Sequence, residues 1–435
     1  MMSMKKINLP ALILAGSTFL SAALGLWRDR LLASAFGAGV ELDIYAAAFR
    51  IPDLVYAFLI SGGLTLAFLP LFAEYFSRDQ KEGWQMASHI LNAFSLFLIL
   101  FSGLLFLLSP WLTKILLPGF PPEIQAEALG LIRLLFLSPI FFGVANIFSS
   151  VLQYFRRFFV YALAPVIYNL SIILGILFLA PRWGIFGVGL GVVLGAFLYF
   201  LSQFLGALAC GFAWRANFDL RQPALRRILV LMTPRALAVT SQQLKLWLVT
   251  AVASLIGPGA ISVFYFANNL QGFFVSLVGI SFGTAVFPLL SQAAARNDPL
   301  EFDRLLKPAL KQVLALGLLS TLFLLAFSQN VIHLLLKTGR FTEAAVNQTN
   351  QMVLLFSLSL FAQAAVPVLV RAFFARQQAW LPTAISIASV FCEVVFLFAF
   401  LKLGWGILSL ALAFSLASVA QFVLLWAFLK KNQSG

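Results

Sequence analysis

Apolar stretches of roughly 18 residues or more recur from one end of this chain to the other. Wound as a helix, a stretch of that length can cross the hydrocarbon core of a bilayer. Hydrocarbon offers no water to a backbone N–H or C=O, so only helices and closed barrels span it. The period-two alternation of barrel strands is absent here. The chain therefore reads as an all-α polytopic membrane protein. Only 10% of its residues are charged and 62% are hydrophobic, whereas a soluble domain carries about 25% charged residues.

Twelve spans are predicted, at about 8–36, 42–73, 87–109, 125–154, 159–181, 184–211, 225–255, 260–294, 308–336, 343–374, 379–402 and 405–429. Pro52, Pro70, Pro139, Pro165, Pro234, Pro288 and Pro367 fall inside or at the edges of spans and are expected to kink them, with a plain helix-end position as the alternative for Pro70 and Pro165. The start of the chain, with Lys5-Lys6 ahead of an apolar run, reads as an uncleaved first helix. With the first end inside, 18 of the 29 Lys and Arg fall in cytoplasmic segments, 7 on the opposite side and 4 within spans. Both ends are expected to face the cytoplasm. The same bias accounts for the net charge of +14 without any nucleic-acid partner.

Segments repeat at a nearly constant offset of about 220 residues. Gly37-Ala38-Gly39 with Tyr45 returns as Gly257-Pro258-Gly259 with Tyr265, and Phe68-Leu69-Pro70-Leu71 as Val286-Phe287-Pro288-Leu289. Gly119-Phe120 is answered by Gly339-Arg340-Phe341, and Phe155-Arg156 by Ala375-Arg376. An even number of spans separates the copies, so the two six-helix lobes are parallel repeats. The expected organisation is an N-terminal lobe at 1–212, a basic cytoplasmic linker at 213–224 and a C-terminal lobe at 225–435.

Charge inside a bilayer is costly and marks function or a partner, yet Arg28, Asp29, Arg30, Asp43, Arg50 and Asp53 crowd into the first two spans. Arg suits phosphate because its planar fork donates two parallel hydrogen bonds and stays charged in a low dielectric. Arg28-Asp29, Asp43 and the turn Arg50-Ile51-Pro52-Asp53 form the candidate substrate patch, alongside a plain reading as solvated interfacial charge. Lys245 lies mid-span in the seventh helix and is a further candidate. Glu393, isolated in the eleventh span, is the candidate ion or proton site. His89 and His333 have no companions at ligand spacing, and Cys210 and Cys392 read as packing residues. No Walker sequence or nucleophile constellation appears, so no nucleotide or other cofactor is expected and the chain is not read as an enzyme.

The opening, Leu24 to Tyr75, resembles the MurJ/MviN family, the lipid II flippases of the multidrug/oligosaccharidyl-lipid/polysaccharide exporter superfamily. Met232-Thr233-Pro234-Arg235, Val263 to Asn268, Gly283 to Ser291, Lys337 to Thr342 and Phe373 to Gln378 are similar to family segments as well. The resemblance implies two lobes around a cationic cavity, alternating access, and an undecaprenyl-linked saccharide turned from the inner to the outer leaflet of a bacterial inner membrane. It carries the family's Arg-Asp pair onto Arg28-Asp29, its helix-two aspartate onto Asp43 and its basic residue before the proline onto Arg50. Three family arginines are Ala22, Tyr56 and Asn269 here. Family members usually carry two more helices than the twelve read here.

The function expected is thus a flippase for a polyprenyl-diphosphate-linked saccharide, coupled to Na+ or H+ or to the membrane potential. Membrane lipids and envelope-synthesis proteins are the expected neighbours. The alternatives are a polysaccharide or drug exporter of the same superfamily and a non-transporting scaffold of envelope synthesis.

Overall fold

The structure is a computed structural model, and it describes residues 9–57, 64–215 and 223–431. Lys5, Lys6, Arg221 and most of the 213–224 linker lie outside the described residues, as do the side chains of Pro234 and Arg235.

In their described residues the twelve predicted spans are helical apart from short turns. The first is α1 (Leu9–Phe36), and the second comprises α2 (Val40–Ala48), α3 (Arg50–Tyr56) and α4 (Leu64–Arg78). Then follow α5 (Gln80–Leu116), the pair α6 (Pro122–Leu135) and α7 (Leu137–Tyr154), and α8 (Phe158–Leu174), which runs through a π-helical turn into α9 (Ala180–Ala209). The later half holds α10 (Pro223–Ile256), α11 (Ala260–Val275), α12 (Ser281–Ala295) and α13 (Pro299–Leu336). It closes with α14 (Glu343–Ser357), α15 (Leu360–Ala375), α16 (Trp380–Lys402) and α17 (Leu408–Lys431). No strand occurs among the described residues.

Among the described residues seven helical runs are long and apolar enough to cross a membrane unaided, or eight with α14 and α15 taken as one span bent by 51°. The run Phe158–Ala209 holds two spans, broken at Gly184 with φ 54° and ψ −137°. Charged residues along α10, such as Arg226, Arg227 and Lys245, dilute its apolar character. On α5 and α13, Phe97, Leu100, Leu107, Trp111, Leu319 and Leu322 stand exposed, as side chains facing lipid do.

The chain divides into two compact units. One comprises the described residues up to Ala35 together with Ile44–Trp247; the other takes Phe36–Asp43 and everything described from Leu248 onward. Within the first, a phenylalanine-rich core joins α4, α5 and α7 around Phe68, Phe72, Met86 and Phe148. Aspartates start the long third and ninth spans alike: Asp79 accepts from Lys81 N at 3.0 Å, and Asp298 from Glu301 N at 2.8 Å. The spans ending at α7 and α15 stop in the same way. Arg156 (φ 55°) and Gln377 (φ 60°) turn left-handed, and the next amides reach back to Leu152 O at 2.8 Å and Phe373 O at 3.0 Å.

Proline breaks two helices at one spacing. Pro52 has no N–H for the carbonyl of Ala48, where α2 ends, and Pro139 none for Leu135, where α6 ends. Pro70 and Pro165 do not take the helix-end alternative, since both sit inside helices, in α4 and α8. In the second unit the break between α14 and α15 contains no proline. There the Thr321 hydroxyl donates to the freed carbonyl of Ser357 at 2.8 Å.

The closest packing in the first unit is α8 against α9. Gly187, Gly191 and Gly195 form a stripe one turn apart on α9. A Cβ on Gly191 would lie 2.8 Å from the Cα of Gly175 and 2.9 Å from Ser171 O. Gly191→Leu should therefore force the helices apart and destabilise the protein by about 1–3 kcal/mol, measured as a lower thermal midpoint in detergent. An unchanged midpoint would show that the pair separates at no cost.

Candidate functional site

Arg28 and Asp29 follow one another near the end of α1, so the pair is local. The Arg28 guanidinium donates Nε and Nη2 to Asp29 Oδ1 at 3.1 and 2.9 Å, and its Nη1 to Asn169 Oδ1 of α8 at 3.1 Å. Asn169 in turn donates Nδ2 to Ser21 Oγ at 3.1 Å and to the carbonyl of Pro165 at 3.2 Å. The arginine side chain is 18% exposed, so its fork is held but not sealed. Asn169 was not anticipated from sequence. An amide within the apolar run Val166-Ile167-Tyr168-Asn169 is the signal that could have flagged it.

Asp43 belongs to the second unit, and both its oxygens are engaged there. Oδ2 accepts from Gly259 N at 2.6 Å, and Oδ1 from Ser262 N at 2.7 Å and Ser262 Oγ at 2.5 Å. These are the amides at the start of α11, which has no capping side chain of its own because Gly259 stands at the cap position. Asp43 therefore caps a helix 219 residues further along. Gly259 (φ 87°) lets the backbones meet, since a Cβ there would lie 2.7 Å from Ala38 O. Gly37 (φ 67°) does the same against Arg340 O at 2.6 Å.

Arg50, Pro52 and Asp53 lie in α3, the first two buried. Around that turn, α3, α6, α7, α8 and α9 enclose a cavity of about 330 Å³. Its lining is Phe49, Pro52, Asp53, Tyr56, Leu135, Ser138, Pro139, Phe142, Pro165, Tyr168 and Tyr199. Phe142 meets three tyrosine rings edge-on, with centroids 5.8 Å from Tyr56, 5.1 Å from Tyr168 and 5.2 Å from Tyr199. Three prolines of three helices line this space, so the chain opens it where its helices bend or lose a hydrogen bond. The α8 turn from Pro165 to Asn169 serves both the cavity and the hold on Arg28.

Lys245, on α10 in the first unit, is buried at 9% exposure. Glu393, on α16 in the second unit, is buried at 3%, one turn from Ser389, whose hydroxyl donates to Ala417 O of α17 at 3.1 Å. Of the sequence-derived candidates, Arg28 with Asp29 and Arg50 with Pro52 and Asp53 are thus local groups in the first unit. Asp43 and Glu393 fall in the second.

The sequence profile of the family described as "Lipid II flippase MurJ" matches residues 32–435. The chain belongs to the MurJ family. It is 28% identical over 433 residues to the lipid II flippase MurJ of Burkholderia cenocepacia, covering 97% of this chain and 83% of that one. It is 29% identical over 421 residues to the probable lipid II flippase MurJ of Buchnera aphidicola subsp. Acyrthosiphon pisum, covering 96% and 82%. Among solved structures, a lipid II flippase MurJ in an inward closed conformation superposes with a TM-score of 0.83 at 25% identity, over 96% of this chain and 87% of that one. A multidrug resistance MATE family transporter of the MOP superfamily, facing inward, gives 0.80 at 14% identity over 98% of each, which speaks for the fold alone. The MurJ-family chain is thus a multi-pass membrane transporter and not an enzyme.

Removing the Asp43 carboxylate strands the Gly259 and Ser262 amides in a buried place. Asp43→Ala should cost about 2 kcal/mol or more, read from thermal unfolding in detergent, with Asp43→Asn keeping part of it through its one carbonyl oxygen. A wild-type midpoint in the alanine variant would show that the cap is dispensable.

Proposed function

We propose that this chain flips an undecaprenyl-diphosphate-linked saccharide of the lipid II class from the inner to the outer leaflet by alternating access. The observation that carries the reading is the family match over residues 32–435. The chemistry of α1 supports it. Arg28 holds its fork pre-set by Asp29 and Asn169, so a diphosphate oxygen meets an oriented donor instead of a freely rotating chain. Arg50 and Lys245 add positive charge to the substrate path, Pro52 bends α3, and Asp43 acts as a positioning residue through α11. Both ends of the chain face the cytoplasm in this reading. The enzymes that make and use the lipid-linked saccharide are its neighbours in the membrane.

Expression in a MurJ-depleted bacterium tests the reading, and rescue of growth is the expected result. In that assay Arg28→Ala should abolish rescue at a normal membrane level, and Arg28→Lys should restore it only in part, because a point charge replaces the fork. Full rescue by the alanine variant would reduce Arg28 to an interfacial charge. Failure of the unmodified chain, when it is present in the membrane, would favour the scaffold reading.

No bond is made or broken in flipping, so the work must come from a gradient or from consumption of the product. One elementary charge crossing 100 mV is worth about 2.3 kcal/mol. An anionic diphosphate leaving a negative interior moves downhill, and a cation bound at Glu393 can assist the return of the empty carrier. Collapsing the potential should slow flipping in proteoliposomes, and Glu393→Gln should change its dependence on Na+ or pH. Transport indifferent to all three gradients would make the chain a passive scramblase.

A further inference from the structure

The cavity in the first unit carries an inference that goes beyond the flippase reading and does not depend on it. Its wall is mostly carbon, with one carboxylate, one serine hydroxyl and three tyrosines. No lysine or arginine is among its lining residues, and Arg50 stands one turn before Asp53 on the same helix. The positive charge of Arg50 acts on the Asp53 carboxylate, while among the described residues no group donates a hydrogen bond to it. The Ser138 hydroxyl is also buried without a hydrogen-bond partner, in a residue 6% exposed. A carboxylate and a hydroxyl with unused hydrogen-bond acceptors therefore share one aromatic chamber.

We propose that this chamber binds an organic ammonium group. Asp53 is the counter-charge, Ser138 Oγ accepts an N–H, and the tyrosine rings gathered about Phe142 supply the faces that attract a cation. The volume of about 330 Å³ admits an ammonium with its alkyl substituents. A bare alkali ion fits less well, because it exchanges its hydration for a close shell of oxygens, and this wall is largely apolar. A headgroup amine of the transported lipid and a free small amine present the same chemistry.

The test titrates the purified full chain in detergent with tetramethylammonium, butylammonium or sodium chloride at matched ionic strength, followed by calorimetry. Both ammonium ions should bind saturably, and both at least tenfold more weakly to Asp53→Asn at an unchanged thermal midpoint. Ser138→Ala should weaken butylammonium several-fold and leave tetramethylammonium unaffected, since the quaternary ion has no N–H to donate. That contrast holds even if the Asp53 variant does not fold. No saturable ammonium binding by the wild type, or equal binding by a folded Asp53→Asn variant, would overturn the proposal, as would sodium displacing both ions at equal concentration. A lipid-linked saccharide with a free primary amine, compared with its N-acetylated form, then separates the sources. A preference for the free amine that Asp53→Asn erases assigns the site to the headgroup, and equal binding assigns it to free amines. Failure to rescue a MurJ-depleted bacterium bears on the flippase reading alone and leaves these titrations standing.

Discussion

A helix that stops or bends where water cannot follow leaves amides or carbonyls that something else must satisfy. Much of the architecture of this chain answers that constraint. Asp43 takes the amides at the start of α11, Thr321 takes the carbonyl of Ser357 at the α14–α15 break, and Asn169 takes the carbonyl of Pro165 in α8. In the first two cases a polar side chain embedded in an apolar helix meets main-chain groups left over at a helix start or break, and in the third it adds a bond to the turn that follows a proline. Intramembrane polarity here both holds the helices and fixes the orientation of other side chains, and the same residue can do both. Asn169 orients Arg28 while it supports the proline helix.

The spans were legible because hydrophobicity over a bilayer's thickness is a local property of sequence. So was the duplication, through glycine and proline pairs about 220 residues apart. The structure adds a pair that the sequence reading passed over: Trp183-Gly184-Ile185 and Trp405-Gly406-Ile407, whose glycines turn at φ 54° and 52°. The role of Asp43 was not legible, since nothing in its neighbourhood points to an amide 219 positions away. Nor was the aromatic chamber. Tyr56, Tyr168 and Tyr199 come from three separate helices and look like ordinary bulk until Phe142 gathers them. Which of two places Pro70 and Pro165 take, inside a helix or at its end, was not legible, because the residues around a proline do not show whether its helix continues beyond it.

The chamber also bears on how the family resemblance is read. Where the resemblance places an arginine, this chain has Tyr56, and three residues earlier it has a carboxylate. The short helix α3 thus presents an aromatic ring and a carboxylate beside the proline break that opens the space.

The engagement of Asp43 with Gly259 and Ser262 has a consequence for biogenesis. The ribosome delivers Asp43 to the membrane long before its partners exist; at 5–20 residues per second the wait is roughly 10–45 seconds. During that interval a carboxylate destined for full burial has no amides to cap. The second unit therefore closes late, around a peg inserted early. Splitting the gene midway would deprive the later half of a piece that its own coding sequence does not contain.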